Sequence, residues 1–384
     1  MDLSLNQHQQ MLQATARDFV RREAPKELLV AFEREGAYFS SDLWNRVAGL
    51  GWLGSFIPTE YGGEGTALLD VAVIHEELGR GPVPGPFFES SVLCASIILS
   101  SGSEEQKRQL LPEIAAGRVV ATLAVIDPSP RWGAESVTTT ALPRGSGFVL
   151  QGVKPFVHYG AVAHTYLVAA RTETRVNGSA SGISLFLVDR ESAGVAVRDL
   201  PEGTLTGFAE VALDGVEIPG TALLGEPGHG WAALEGAMQR ALPVLGAFQV
   251  GGMQMVTEAA IEYSQTRIVF AQPIGRFQRV QDRIIDAVSH RDAARWATYE
   301  AIWKLETGRP AASSIHLAKA LASEGYYEAS NLCTEVFAGI GVEAGTGLNA
   351  HIKMSRGLYS YLGDPRYHRA RMVDAVCLVP HGAA

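Results

Sequence analysis

The chain has 384 residues, 47% of them hydrophobic and 19% charged, with a formal net charge of −9. That length and balance give an ordinary soluble globular protein with core enough for two or three domains. The acidic excess argues against a large nucleic-acid footprint, which needs a basic face.

The start, MDLSLNQHQQMLQ, has neither a basic n-region nor an apolar h-region, so no signal peptide is expected. Apolar runs such as Val92–Leu99 are too short and interrupted to span a bilayer, so no membrane segment is expected. Cys94, Cys333 and Cys377 are widely spaced and make no zinc or redox pattern. Cys333 and Cys377 sit among apolar neighbours and read as buried thiols. A reducing cytoplasm fits.

The first third reads helical. Leu12, Ala16, Phe19 and Val20 recur at helical spacing, and Leu69, Ala72, Val73 and Leu78 form a second stripe. GSEEQKRQLLPEIAAGR (102–118) opens on a capping box, Ser103 with Gln106, and stops at Gly117. GWLGSFIPTEYGGEG (51–65) is a loop between two of these helices. Six short β-branched runs follow: 119–127, 147–157, 165–171, 183–189, 194–200 and 208–218. Their turn signals predict an antiparallel barrel or sandwich. After GEPGHGW (225–231) helices return. One helical stretch is broken around QPIG (272–275), and the 310–341 helix starts with Pro310 near N1. The order is α, β, α. The predicted domains are 1–117 (helical), 118–228 (β) and 229–384 (helical).

No GxGxxG follows a strand, and no Walker A is present. YGGEG reads as a turn. His158, His229, His290 and His316 are scattered, so no metal site is expected. The segment RIVFAQPIGRFQ (267–278) sets Arg267, Phe270 and Gln278 around a forced turn. Arginine offers a bidentate fork for a diphosphate and phenylalanine a face for an aromatic base. By spacing alone it is a helix corner with a solvated Arg and two core Phe.

Taken in order, these segments resemble the acyl-CoA dehydrogenase family over nearly the whole chain. The carriers are GWLGSFIPTEYGGEG, GSEEQKRQLLPEIAAGR, FVLQGVKPFVHYGAVAHTYLVAAR, GVEIPGTALLGEPGHGW, YSQTRIVFAQPIGRFQRVQDRIID and EVFAGIG (335–341). The resemblance implies an α+β fold with an N-terminal helical domain, a central antiparallel β domain and a C-terminal four-helix bundle. It implies FAD held between subunits of a tetramer. It also implies removal of a proton from Cα of an acyl-CoA thioester while the flavin takes a hydride from Cβ.

The family's base is a glutamate in a Tyr-Glu-Gly-Thr motif, or in a minority on the first helix of the C-domain. Carried over, these places fall on Leu362 in YLGD and on Ala241 in QRALPVLG. Neither accepts a proton, so no catalytic residue is assigned. The nearest carboxylate is Asp364, which a helical reading turns to another face. The ring-holding motif reads IDPSPRWGAES (126–136), with Ile126 in the Thr place, and the later Trp-Ile-Thr motif has His158 for Thr. The half that grips a neighbour's adenosine diphosphate is kept in Arg267, Phe270 and Gln278, with Gly339 in the glycine turn. Glu335 replaces that turn's Gln, a carboxylate that costs energy beside a diphosphate unless paired.

That pattern resembles the non-catalytic subunit of actinobacterial α2β2 acyl-CoA dehydrogenases that act on steroid side-chain thioesters. There a second chain carries the glutamate. Two other expectations stand beside it. One is a self-sufficient homotetramer using Asp364 or another base. The other is a flavin-free scaffold on the same fold.

Overall fold

The computed structural model describes residues 4–129, 131–172, 180–200 and 205–377. Helices α1 (Gln7–Glu23), α2 (Lys26–Glu35), α3 (Ser41–Gly49) and α4 (Leu68–Arg80) build the N-terminal layer. Asn6 caps α1 in a capping box with Gln9, and Ala16, Phe19 and Val20 of its predicted stripe are buried. The 51–65 loop carries two short 3-10 turns between α3 and α4. A π-helical turn, Glu89–Cys94, leads into α5 (Ala95–Ser101), and α6 (Glu104–Ala115) starts at the predicted Ser103–Gln106 box.

The β layer is one twisted sheet. Its strands are β1 (Ala121–Ala124), β2 (Thr140–Arg144), β3 (Gly147–His158), β4 (Thr165–Arg171), β5 (Ile183–Asp189), β6 (Val195–Leu200), β7 (Phe208–Pro219) and β8 (Leu223–Leu224). The order is β6-β7-β3-β2-β4-β5-β8, with β1 beside β4. Two features depart from the sequence reading. The short strand β2 carries Pro143, a strand-breaking signal. And β1 runs parallel to β4, so the sheet is mixed.

The C-terminal layer holds α7 (Gly230–Thr266), a two-stranded hairpin β9 (Ile268–Val269) and β10 (Gln272–Pro273), then α8 (Gln278–Glu306), α9 (Ala312–Phe337), α10 (Leu348–Tyr359) and α11 (Pro365–Cys377). Pro310 precedes the α9 N-cap, Ala311, and so lies just outside the helix. Cys94 and Cys333 are buried, but Cys377, on the last turn of α11, is exposed. No helix among the described residues is long and apolar enough to cross a membrane.

α4 and α7 touch backbone to backbone. A Cβ on Gly79 would lie 1.9 Å from the Phe248 carbonyl oxygen, and one on Gly251 would lie 1.7 Å from that of Glu76. Only glycine allows this approach. It locks the N-terminal layer onto the helix that floors the site.

Candidate functional site

The stretch LYSYLGDP is a break between α10 and α11, not the interior of a helix. Leu362 is fully buried in the left-handed region at φ 60°, and Gly363 follows at φ 108°. A non-glycine residue there costs about 1–2 kcal/mol. Two buried imidazoles hold the turn. The Leu362 carbonyl lies 3.1 Å from His368 Nε2, and His368 Nδ1 lies 2.9 Å from His316 Nδ1. The carbonyl can only accept, so Nε2 carries the His368 proton and His316 donates from Nδ1. Burial lowers both rings' pKa, that of His316 to about 4.

Asp364 is not on a helix face turned elsewhere, as a helical reading of this stretch has it. Its Oδ1 accepts from the Tyr367 backbone N–H at 2.7 Å, which makes it the N-cap of α11. It lines a hollow of about 380 Å3 together with Ile126, Trp132, Phe156, Ser360 and Tyr367. Two carboxylates, Asp364 and Glu135, face this hollow against one guanidinium, Arg131. Ile126 offers no hydroxyl. Pro130 of the 126–136 stretch lies outside the described residues. The stretch is anchored by a buried ion pair: Lys154 Nζ donates to Asp127 at 3.0 Å, and Asp127 Oδ2 also accepts from the backbone of Thr138 and Thr139. Burial pulls Lys154 down to about 8, against the pull of Asp127.

Beneath the turn the side chains close on one another. The Tyr361 ring stacks on His158 at 3.8 Å and meets Phe88 edge-on at 6.2 Å. His158 is also packed against Phe208 at 4.4 Å. His158 Nδ1 lies 3.8 Å from Glu89 Oε1 and, among the described residues, has no hydrogen-bond partner, nor has the Tyr361 hydroxyl. Burial pushes Glu89 up to about 8. Burial, then the nearby Lys319, pulls His158 down to about 3. At neutral pH the pair is therefore a neutral acid beside a neutral imidazole, not a salt bridge. The room left among Glu89, Tyr159, Leu245, Phe248, Met354 and Leu358 is about 20 Å3, enough for roughly one water. Behind lies Lys319 of α9, buried, pulled down to about 7 by burial, with Nζ donating to Ser323 at 2.5 Å. Ala241 is buried in α7.

Nothing in the sequence motifs points to Glu89, Tyr361 or Lys319. Each stands alone in an apolar context there. The signal that could have found Glu89 and Lys319 is a charge inside a run that is otherwise buried.

The second group lies at the outer corner. Arg267 ends α7 and is exposed. Phe270 and Ala271 form the turn of the β9–β10 hairpin at φ 51° and 59°. A two-residue turn with both φ positive normally takes Asn or Gly, so this one is strained. It holds Phe270 outward, 87% exposed, with Phe277 edge-on at 6.3 Å. Phe270 is thus not the core residue that spacing alone suggested. Gln278 opens α8 and is exposed. Tyr263, one turn before Arg267, stacks on Phe337 at 4.1 Å. This brings the end of α9 and its 3-10 turn, Ala338–Val342, alongside. A Cβ on Gly339 would meet nothing within 4 Å, so that turn is open. Glu335 is paired with Arg283 Nε at 2.6 Å. Its charge is therefore met within the chain.

An open guanidinium, an open aromatic face, an amide and a neutralised carboxylate suit the adenosine diphosphate end of a dinucleotide. The 380 Å3 hollow suits a flavin ring less well, because a reduced ring gains negative charge and two carboxylates face it.

Three family models match the chain in order: the N-terminal domain of acyl-CoA dehydrogenases over residues 6–118, the middle domain over 123–216 and the C-terminal domain over 228–377. A probable acyl-CoA dehydrogenase, FadE25 of Mycobacterium tuberculosis, is 28% identical over 369 residues, 94% of both chains. An L-prolyl-[peptidyl-carrier protein] dehydrogenase of Pseudomonas fluorescens is 29% identical over 352 residues, 88% of this chain and 90% of its own. Among solved structures, the FAD complex of PigA superposes with a TM-score of 0.92 at 25% identity, over 98% of this chain and all of that one. A chain of the ChsE4-ChsE5 complex from Mycobacterium tuberculosis superposes at 0.88 and 25% identity, over 99% of this chain and all of that one. FAD is thus a cofactor of this fold. With helical, β and helical layers each matched in turn, the chain belongs to the acyl-CoA dehydrogenase family.

Proposed function

We propose that this chain is the non-catalytic subunit of an α2β2 acyl-CoA dehydrogenase in which it completes a partner chain's FAD site. The observation that carries the reading is the closed cavity. A buried leucine stands where the family places its base, the Tyr361 ring beside it stacks on His158, and the room left nearby among Glu89, Tyr159, Met354 and Leu358 is about 20 Å3. An acyl chain has no room there. The outer corner, by contrast, is open.

FAD, when bound, supplies the hydride acceptor for α,β-dehydrogenation of an acyl-CoA thioester. The partner's glutamate takes the Cα proton. Toward the cofactor, Arg267 offers a fork for the diphosphate, Phe270 a face for adenine and Gln278 an amide. Gly339 leaves the backbone bare for close approach, and Arg283 keeps Glu335 from repelling the phosphates. Steroid side-chain CoA esters are the narrower substrate class we propose, and the cytoplasm the location. The neighbour from the ChsE4-ChsE5 complex, itself a complex of two named chains, supports the mixed assembly.

A second reading is favoured by one observation: Asp364 lines a hollow of about 380 Å3. In it the chain is a self-sufficient enzyme and Asp364 its base. The N-cap bond to Tyr367 weighs against this, since it occupies one carboxylate oxygen.

The test is production alone and with candidate partner chains, followed by FAD content and turnover. Two FAD per tetramer, found only in the mixed complex, is the expected result. Yellow, active protein made alone would replace this reading with the second. Colourless protein under every condition would point to a scaffold on the same fold.

A further inference from the structure

A hollow of about 420 Å3 opens among α1, α2, α4, α7 and the start of α10, lined by none of the residues of the two groups described above. Its lining is mostly apolar and includes Val20, Leu29, Met255, Ala259 and Leu348. Met255 is an exposed large hydrophobe, a flexible side chain that adapts to an apolar guest. Four cations, Arg17, Arg21, Lys26 and Arg80, share the lining with one carboxylate, Glu77. In a chain of net charge −9 that local excess is opposite to the average.

The cations are arranged, not scattered. Glu77 is fully buried and clamps two of them. Arg17 donates to it from Nε and Nη2 at 3.1 and 2.7 Å, and Arg80 Nε lies 3.3 Å away. Glu258 holds the other end of Arg80 through two further bonds. Both guanidiniums are thereby fixed in direction before any guest arrives. Lys26 has no ion-pair partner among the described residues. Its stem lies along Gly347, where an added Cβ would be 3.0 Å from Lys26 Cγ.

We infer that this hollow is a binding site for a medium-chain aliphatic carboxylate. The chain lies on the apolar lining, and the headgroup is met by Lys26 and the exposed edge of Arg17. Concave, mostly apolar lining with a few converging polar groups is the usual form of a small-molecule site. At about 30 Å3 per water-sized group, the volume holds a chain on the order of ten to fourteen carbons. The inference does not depend on the flavin reading.

The test is calorimetric titration of the full chain with alkanoates of six to sixteen carbons and with dodecanol. Affinity should rise about three- to fourfold per added methylene and then level off once the hollow is full. Dodecanol should bind at least tenfold more weakly than dodecanoate. Lys26→Glu should weaken dodecanoate at least tenfold, and Ala259→Phe, which fills the hollow, should remove binding. Met255→Trp is a second filling variant should Ala259→Phe not fold. Equal affinity for dodecanol, or an affinity that climbs past fourteen carbons without levelling, would overturn the site. So would binding unchanged in a folded filling variant. Loss of dodecanoate binding on addition of the partner chain would also overturn it, because the hollow would then be part of an interface.

Discussion

Glu335 and Arg283 meet at 2.6 Å on the outer corner, and in the FAD site proposed above the pair would make an acid tolerable beside the diphosphate. Removing either partner should act in opposite directions on FAD retention by the mixed complex. Arg283→Gln leaves a bare carboxylate near the phosphates and should weaken FAD roughly tenfold, at about 1 kcal/mol per charge at a surface. Glu335→Gln should hold FAD as well as the parent or better. The double variant should fall near Glu335→Gln. Fluorescence titration of FAD release reads all three. Additive effects with no coupling would mean that the pair stands apart from the cofactor.

Arg267→Ala should loosen FAD in the same complex by about one to two decades while the chain stays folded. A charge-assisted bond of this kind is worth roughly 1.5–3 kcal/mol. Arg267 is exposed and held by no ion pair among the described residues, so its loss should leave the unfolding curve in place. Unchanged FAD affinity would make it a corner residue and no more.

The isolated chain should show negligible acyl-CoA dehydrogenase activity, since acid–base help alone is worth roughly 10²–10⁴-fold. Leu362→Glu should not restore it. The new carboxylate would enter an apolar, left-handed turn, with a raised pKa like that of nearby Glu89. Stability should fall by about 2 kcal/mol or more. His158 and Tyr361 would still fill the cavity. The measurements are turnover per FAD with the partner's base removed, and FAD per tetramer. Rescued turnover, or four FAD, would sink the closed-cavity reading.

Acid should destabilise the fold from about pH 6.5 downward. Burial lowers the folded pKa of His75 and His316 to about 4, those of His158 and His351 to about 3, and that of His368 as well. The unfolded chain then binds more protons below its ordinary value near 6.5, so stability falls as pH falls. Glu89, raised to about 8, works the other way between about 4.5 and 8 and offsets one of the five. The net slope should be roughly 3–5 kcal/mol per pH unit between 6.5 and 5. Urea midpoints at these two pH values check it. His158→Phe should flatten the slope.

Gly251→Ala should cost about 3 kcal/mol or more, because its methyl would sit inside the Glu76 carbonyl. Gly236→Ala, on the same helix with nothing within 4 Å, should be neutral or stabilising by about 0.5–1 kcal/mol. Equal thermal shifts in the two variants would contradict the backbone contact.

The layers were legible in the sequence because their signals are local. Periodic stripes marked α1 and α4, the Ser103–Gln106 box marked the start of α6, and β-branched runs marked six of the eight strands of the main sheet. What was lost depends on the rest of the chain. Pro143 hid β2, whose pairing with β3 outweighs the missing donor. Cys377 looked buried by its neighbours, yet those neighbours are on the exposed end of α11. Leu362 looked helical, and its left-handed turn is set by His368 and His316, the latter 46 positions earlier in sequence. The partner of Glu335 sits on another helix, at Arg283.

The strained hairpin has a consequence for supply. Ile268, Phe270, Ile340 and Val342 are exposed in the single chain, and open apolar patches of this sort invite unwanted association. If the proposed partner covers that corner, a cell making this chain in excess of it would accumulate copies that stick to one another. In the mixed assembly proposed above, balanced production of the two polypeptides would follow as a requirement from one phenylalanine held away from its own core.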